Sequence, residues 1–254
     1  MIETAIERDG AWLRIAMRSV PGNLLSLAMV GELRRAIADG RERRGLKWLT
    51  IEGAGDDFSF GAKIHEHLAE AMAAVLPETH RLFKDLLAFP SPTTALVHGR
   101  CLGGAFELAL ACDDIIAAPG ATFGFPEIRL AAFPPAGAAL LPLRVGASRA
   151  ARAMITGDPR PAQYWHEAGL VSVVAPHVSL ENAARDWFDR HLAPLSAVAL
   201  SHAAHASRLT LRAQAEPALD AAERLYLTRL LETHDAVEGI HAWIEKRPPR
   251  WENR

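Results

Sequence analysis

Between positions 11 and 117 the chain switches repeatedly between two hydrophobic periods, and that alternation limits the folds open to it. Residues 11–17 (AWLRIAM) alternate apolar and polar positions, as a half-buried strand does. Residues 47–51, 93–97 and 114–117 read as further strands. Helical stretches separate them: 24–37 behind the Pro21-Gly22-Asn23 turn, 64–75 and 78–89 on either side of Pro77, and a strongly apolar helix from Gly103-Gly104 to about Cys112. Strands that alternate with helices pair in parallel, so the expected class is α/β. Farther along, residues 148–156 and the stretch from Pro161 to Gly169 read as helices, 171–174 as a short strand, and 179–241 as almost wholly helical. The region around Pro194 marks the expected boundary, with residues 1–193 an α/β core and 194–254 a helical C-terminal region.

Composition narrows the function classes. Half of the 254 residues are hydrophobic, 23% are charged, and the net charge is −2, so no basic field invites nucleic acid. No apolar run approaches the roughly 20 residues of a membrane span. Met1-Ile2-Glu3-Thr4-Ala5 has neither the basic nor the apolar part of a leader, so the expected location is cytoplasmic. Cys101 and Cys112, eleven residues apart on one expected helix, are too far apart to bridge and read as reduced, buried thiols. His65 and His67 are two apart, which on a helix puts them on different faces, so no metal is expected.

Chemistry concentrates in two glutamates set in apolar stretches. Glu107 lies in Cys101-Leu102-Gly103-Gly104-Ala105-Phe106-Glu107-Leu108-Ala109-Leu110-Ala111, and Glu127 in Thr122-Phe123-Gly124-Phe125-Pro126-Glu127-Ile128. A carboxylate in apolar surroundings has a raised pKa and exchanges protons near neutrality. Gly103-Gly104 follows a strand and opens a helix; Phe58-Ser59-Phe60-Gly61-Ala62-Lys63-Ile64 does the same earlier in the chain. Two such turns can aim two backbone N–H groups at one carbonyl oxygen. Glu107, one helical turn after Gly104, leans back toward that point. The plainer alternatives are tight turns, a buried Glu107 paired with Arg100 or Arg129, and a helix-start carboxylate at Glu127.

Together these segments resemble the crotonase superfamily, the enoyl-CoA hydratase/isomerase fold, over nearly the whole chain. The resemblance rests chiefly on the Gly103–Ala109 run leading to Ala111-Cys112-Asp113 and on Phe123-Gly124-Phe125-Pro126-Glu127-Ile128. It is supported by Phe58-Ser59-Phe60-Gly61-Ala62, by Thr156-Gly157 through Ala168-Gly169-Leu170-Val171, and by Glu245-Lys246-Arg247. It implies a spiral of ββα repeats with a C-terminal helical region that mediates trimer contacts, in a homotrimer or homohexamer. It implies an acyl-CoA thioester substrate and no cofactor beyond the coenzyme A of that substrate. The thioester carbonyl would sit on the N–H groups of Ala62 and Gly104. Glu107 would hold and deprotonate a water, and Glu127 would deliver a proton to the α-carbon. Phe60, Gly61, Lys63 and Ile64 from one turn, with Gly103, Pro126 and Pro134, would surround the substrate. Lys63 or the basic tail (Glu245 to Trp251) would contact phosphates.

Departures from the family pattern bear on the substrate. Lys63 stands where Asp is frequent, Phe106 puts a ring directly before Glu107, and Pro134-Pro135-Ala136-Gly137-Ala138-Ala139 replaces a Pro-Gly-x-Gly-Gly run. Phe58-Ser59-Phe60-Gly61-Ala62 with Phe133-Pro134-Pro135-Ala136 is similar to alicyclic dienoyl-CoA hydratases of aromatic-acid degradation. The expected activity is enoyl-CoA hydration. The alternatives are an enoyl-CoA isomerase and a non-catalytic protein on a CoA-binding fold.

Overall fold

The computed structural model describes residues 1–175 and 179–254. Its larger sheet has six strands in the order β1 (Ile2–Glu7), β2 (Trp12–Met17), β3 (Trp48–Gly53), β4 (Thr93–Val97), β6 (Asp114–Ala117) and β9 (Val173–Val174). Only β1–β2 is antiparallel. A smaller sheet joins β5 (Arg100–Leu102), β7 (Thr122–Gly124) and β8 (Arg160–Pro161). Consecutive strands go to different sheets: β4 then β5, β6 then β7, with Ser59 bridging to Cys101 after β3. A helix follows each unit, α2 (Ala69–Leu87) and α3 (Gly104–Ala111) among them, and the chain winds as a spiral of ββα turns.

The alternation at 12–17 and the apolar run at 93–97 do what their periods require. β2 buries Trp12, Leu13, Ile15 and Met17, while β4 is buried throughout. Trp12 and Trp48 stack with Phe188 of α7 (Leu180–His191) on the outer face of the large sheet. Their indole N–H groups donate to Thr50 (2.9 Å) and Thr94 (2.8 Å), so the rings are buried without a polar cost. On the other face lies the main core, which α1 (Leu27–Arg41), α2 and α3 share. Ser26 caps α1 through Met29 N–H at 3.3 Å, placing that helix three residues later than residue 24.

Several local expectations are corrected. Pro77 does not separate two helices but lies inside α2, and residues Ile64–His67 form a separate 3₁₀ turn. The continuous apolar face Met72, Val75, Leu76, Leu82, Phe83, Leu86 is buried, and that outweighs the one backbone bond a proline removes. Cys101 is in β5 rather than on the helix that Cys112 ends, and both thiols are free and buried. The segment after Pro134 is helical, as α4 (Pro135–Val145), followed by α5 (Ala147–Thr156) and α6 (Ala162–Glu167). The strands β1, β5 and β7 were not legible, being exposed or three residues long.

Residues 194–254 supply α8 (Ala197–Leu225), a π-helical turn (Tyr226–Leu230) and α9 (His234–Ile244). α8 lies against α4 and α2 and buries Ala215 and Leu219 in the main core. Its Arg208, 3% exposed, donates Nε to Asp113 Oδ1 (2.5 Å) and Nη2 to Ser91 O (2.9 Å), and also bonds Phe89 O. Arg208→Met is expected to lower unfolding free energy in urea by about 3 kcal/mol, because it takes the ionic partner from Asp113, leaving it only Thr93, and leaves two carbonyls unpaired. A loss below about 1 kcal/mol would show that the network is not structural. Among the described residues no helix is long and apolar enough to cross a membrane.

Candidate active site

The turn after β3 and the turn after β5 are clamped together by backbone bonds. Ser59 N–H donates to Arg100 O (3.0 Å) and Leu102 N–H to Ser59 O (3.1 Å). Gly61 has φ +89°, and a Cβ there would lie 2.4 Å from Leu102 O and 3.0 Å from Gly104 N, so only glycine lets the turns close. Asn23, 2% exposed, holds the loop from below by donating to Ala54 O (2.8 Å) and Asp57 O (3.0 Å). Ser59 Oγ donates to Asn23 O (2.7 Å) and accepts from Gly61 N–H (3.0 Å). The turns thereby set two N–H groups side by side: a Cβ on Gly104 would sit 3.5 Å from Ala62 N. Neither the Ala62 nor the Gly104 N–H donates to another group among the described residues.

The two glutamates approach the same point. Glu107, 5% exposed, is on the wholly buried helix α3, and its Oε2 is 3.7 Å from where a Cβ on Gly104 would be. Its Oε1 accepts from Gly137 N–H at 2.8 Å, in the first turn of α4. The expected arginine partners are elsewhere: Arg100 pairs with Asp57 (3.0 Å) and Arg129 approaches Asp158 (3.5 Å). Burial pushes the Glu107 carboxyl up to about 7, against the pull of the Gly137 and Ala136 N–H groups. Glu127 lies on a 3₁₀ turn, Pro126–Leu130, with Oε1 2.5 Å from where a Cβ on Gly103 would be. Its Oε2 is buried without a partner among the described residues. Burial, and then the charge of Glu107, hold the Glu127 carboxyl well above the usual range. The charge of Glu107 thus opposes ionisation of Glu127.

A cavity of about 700 Å³ opens on Glu127 and the two turns, a size suited to a small organic group. Of the residues expected around a substrate, Phe60, Ala62, Lys63, Ile64, Gly103 and Pro126 line it. Gly61 packs turn against turn instead. Pro134 is not on the wall: it precedes α4 and sets the helix start whose N–H holds Glu107. Phe106 is wholly buried and stacks on Phe125 at 4.7 Å, facing the core rather than the cavity. His65 and His67 both line the cavity, since they sit on a 3₁₀ turn and not on an α-helix. Ile240 and Trp243 of α9 complete the wall, and no local signal in the sequence linked that helix to the site. Among the described residues no three His, Cys, Asp or Glu side chains cluster as metal ligands.

Residues 8–254 match the family model for enoyl-CoA hydratase/isomerase. The chain belongs to that family. It is 39% identical to the cyclohexa-1,5-dienecarbonyl-CoA hydratase of Thauera aromatica, over 98% of this chain and 96% of that one. It is 36% identical to the 2,3-dehydroadipyl-CoA hydratase of Escherichia coli (strain K12), over 95% and 93%. The fold superposes on an enoyl-CoA hydratase from Mycobacterium avium subsp. paratuberculosis K-10 with a TM-score of 0.83 and 26% identity, covering 99% of this chain and 98% of that one. As a crotonase-fold member with hydratase relatives along nearly its full length, the protein is an enzyme of the enoyl-CoA hydratase class, a lyase acting on acyl-CoA thioesters. For this family member the geometry has a direct chemical reading. Two free N–H donors stabilise an oxygen that gains charge, and two carboxyls of unequal affinity can take and give protons beside it.

Proposed function

We propose that Glu107 and Glu127 together add water across the 2,3 double bond of an enoyl-CoA thioester held at Ala62 and Gly104. The observation that carries this is the convergence of both carboxyls on the glycine pair that also supplies a free N–H. Glu107, ionised, takes a proton from water as the oxygen bonds to the β-carbon. The electron pair of the double bond moves toward the thioester oxygen, where the Ala62 and Gly104 N–H groups hold the enolate charge. Glu127, protonated, gives its proton to the α-carbon. Proton exchange between the two carboxyls then restores the starting state.

The acyl group we assign is a compact ring conjugated with the thioester. The Thauera aromatica relative, the Phe58–Ala62 segment and the Phe133–Ala136 segment support that reading. Lys63 and Arg129 lie at the cavity wall, where positive groups suit the phosphates of coenzyme A. Assembly as a trimer or hexamer, in the cytoplasm, belongs to the same reading. The test is a kcat/KM panel of crotonyl-CoA, longer enoyl-CoAs and cyclohexa-1,5-dienecarbonyl-CoA. The cyclic dienoyl thioester is expected to be hydrated fastest. A preference for crotonyl-CoA would overturn the ring assignment, and no hydration at all would overturn the activity.

The pH profile follows from the two carboxyls. Glu107 must be ionised, so kcat/KM is expected to rise as pH increases through about 7. It then falls at higher pH as Glu127 loses its proton, which gives a bell. A profile flat from pH 5 to 8 would remove Glu107 as the base.

A further inference from the structure

We propose that His67, backed by Tyr226, forms a hydroxyl-recognising site on the wall of the acyl cavity, so that the preferred thioester carries a hydroxyl on its acyl group. This rests on the hydratase reading above and deepens it. His67 is at the end of the 3₁₀ turn that follows Lys63, 8% exposed, and its ring is part of the cavity wall. Its neighbours on that wall include the apolar Ile64, Leu130, Ala132 and Ile240. His67 Nδ1 is 3.3 Å from the hydroxyl of Tyr226, which is 1% exposed and opens the π-helical turn after α8. Neither side chain takes part in the hydration steps described above.

The pair is polar but uncharged. Burial lowers the His67 imidazole to about 4 and raises the Tyr226 phenol above its usual range, Glu127 and Glu107 adding to the latter. A neutral imidazole has one N–H and one lone pair. With Tyr226 donating to Nδ1, Nε2 carries the ring proton and is a donor. In the other tautomer Nδ1–H donates to the phenol oxygen, leaving the phenol proton and the Nε2 lone pair. Among the described residues Nε2 has no partner, so either tautomer leaves a polar function unused.

What occupies that site follows from this inventory. An apolar acyl group would exclude water from His67 and offer nothing in return, which disfavours it. A carboxylate would bring a charge that an uncharged, buried pair does not neutralise, which disfavours it. A hydroxyl both donates and accepts and so suits both tautomers.

The test compares matched pairs: hex-2-enoyl-CoA with 6-hydroxyhex-2-enoyl-CoA, and cyclohexa-1,5-dienecarbonyl-CoA with a ring-hydroxylated counterpart. In at least one pair the hydroxylated member is expected to have a kcat/KM about tenfold or more above its partner. In His67→Leu, and more weakly in Tyr226→Phe, that ratio falls toward one. Equal kcat/KM within both pairs for the unmutated protein would overturn the proposal. So would a His67→Leu variant that slows both members alike, since that is the mark of a structural role. Calorimetric binding of hexanoyl-CoA against 6-hydroxyhexanoyl-CoA reads the linear pair's preference without turnover. A binding preference that persists when no thioester is hydrated would sink the hydratase reading and leave the hydroxyl site standing.

Discussion

Glu107→Gln is expected to lower kcat by about 10²–10⁴-fold and, at the same time, to stabilise the fold above pH 7. Gln keeps an oxygen for Gly137 N–H, so the local structure survives while the base is lost. Stability moves the other way because the carboxyl is buried. Its pKa is 4.5 in open chain and about 7 in the fold. The favourable contribution of the neutral acid is therefore present below about pH 4.5 and is lost as pH rises through about 7. Above that, the folded protein carries a buried charge worth about 3 kcal/mol, which Gln does not have. Urea unfolding at pH 5 and pH 8 reads this: the gain from Gln is large at pH 8 and small at pH 5. Glu127→Gln should lose activity comparably, because the proton for the α-carbon is gone. Full hydration activity in either variant would end the two-carboxylate mechanism.

Gly104→Ala is expected to fold normally and lose about 10²–10³-fold in kcat/KM or more. The added methyl meets only ordinary contacts, with Ala62 N at 3.5 Å, Glu107 Oε2 at 3.7 Å and Leu25 Cδ1 at 3.7 Å. Nothing in the fold resists it. It does occupy the space beside the two N–H groups where the thioester oxygen would lie, and removing one such donor from a growing oxyanion costs about 2.7–4 kcal/mol of barrier. Gly103→Ala is the contrast. Gly103 has φ +55°, and its methyl would lie 2.5 Å from Glu127 Oε1, so that variant should be strained as well as inactive. Circular dichroism melts beside kinetics separate the two cases. A Gly104→Ala enzyme with unchanged kcat/KM would place the carbonyl elsewhere.

Both glutamates, the glycine pair and the Phe58–Ala62 turn were legible because each is a local anomaly: an acid in an apolar run, or small residues where a strand meets a helix. The same locality misled at Pro134. Pro134, expected at the substrate, precedes α4, whose Gly137 N–H reaches Glu107 from 30 residues away. Phe106, the ring directly before Glu107, is an aromatic core side chain. Short strands such as β5 and β7 carry too few residues for a period to show, though their pairing is what aligns Gly103 with Gly124 O at 2.9 Å.

The sequence by itself determined the α/β class, the two turns and the identities of the acids, since these depend on period, glycine freedom and residue type within a few positions. Only the tertiary structure decided that Ala62 N lies beside Gly104, that Glu107 rests on α4 rather than on an arginine, and that His67 meets Tyr226 across 159 residues. Those are contacts between segments distant in the chain. Burial by the whole fold, which no local pattern encodes, is also what lifts both carboxyls toward working pH.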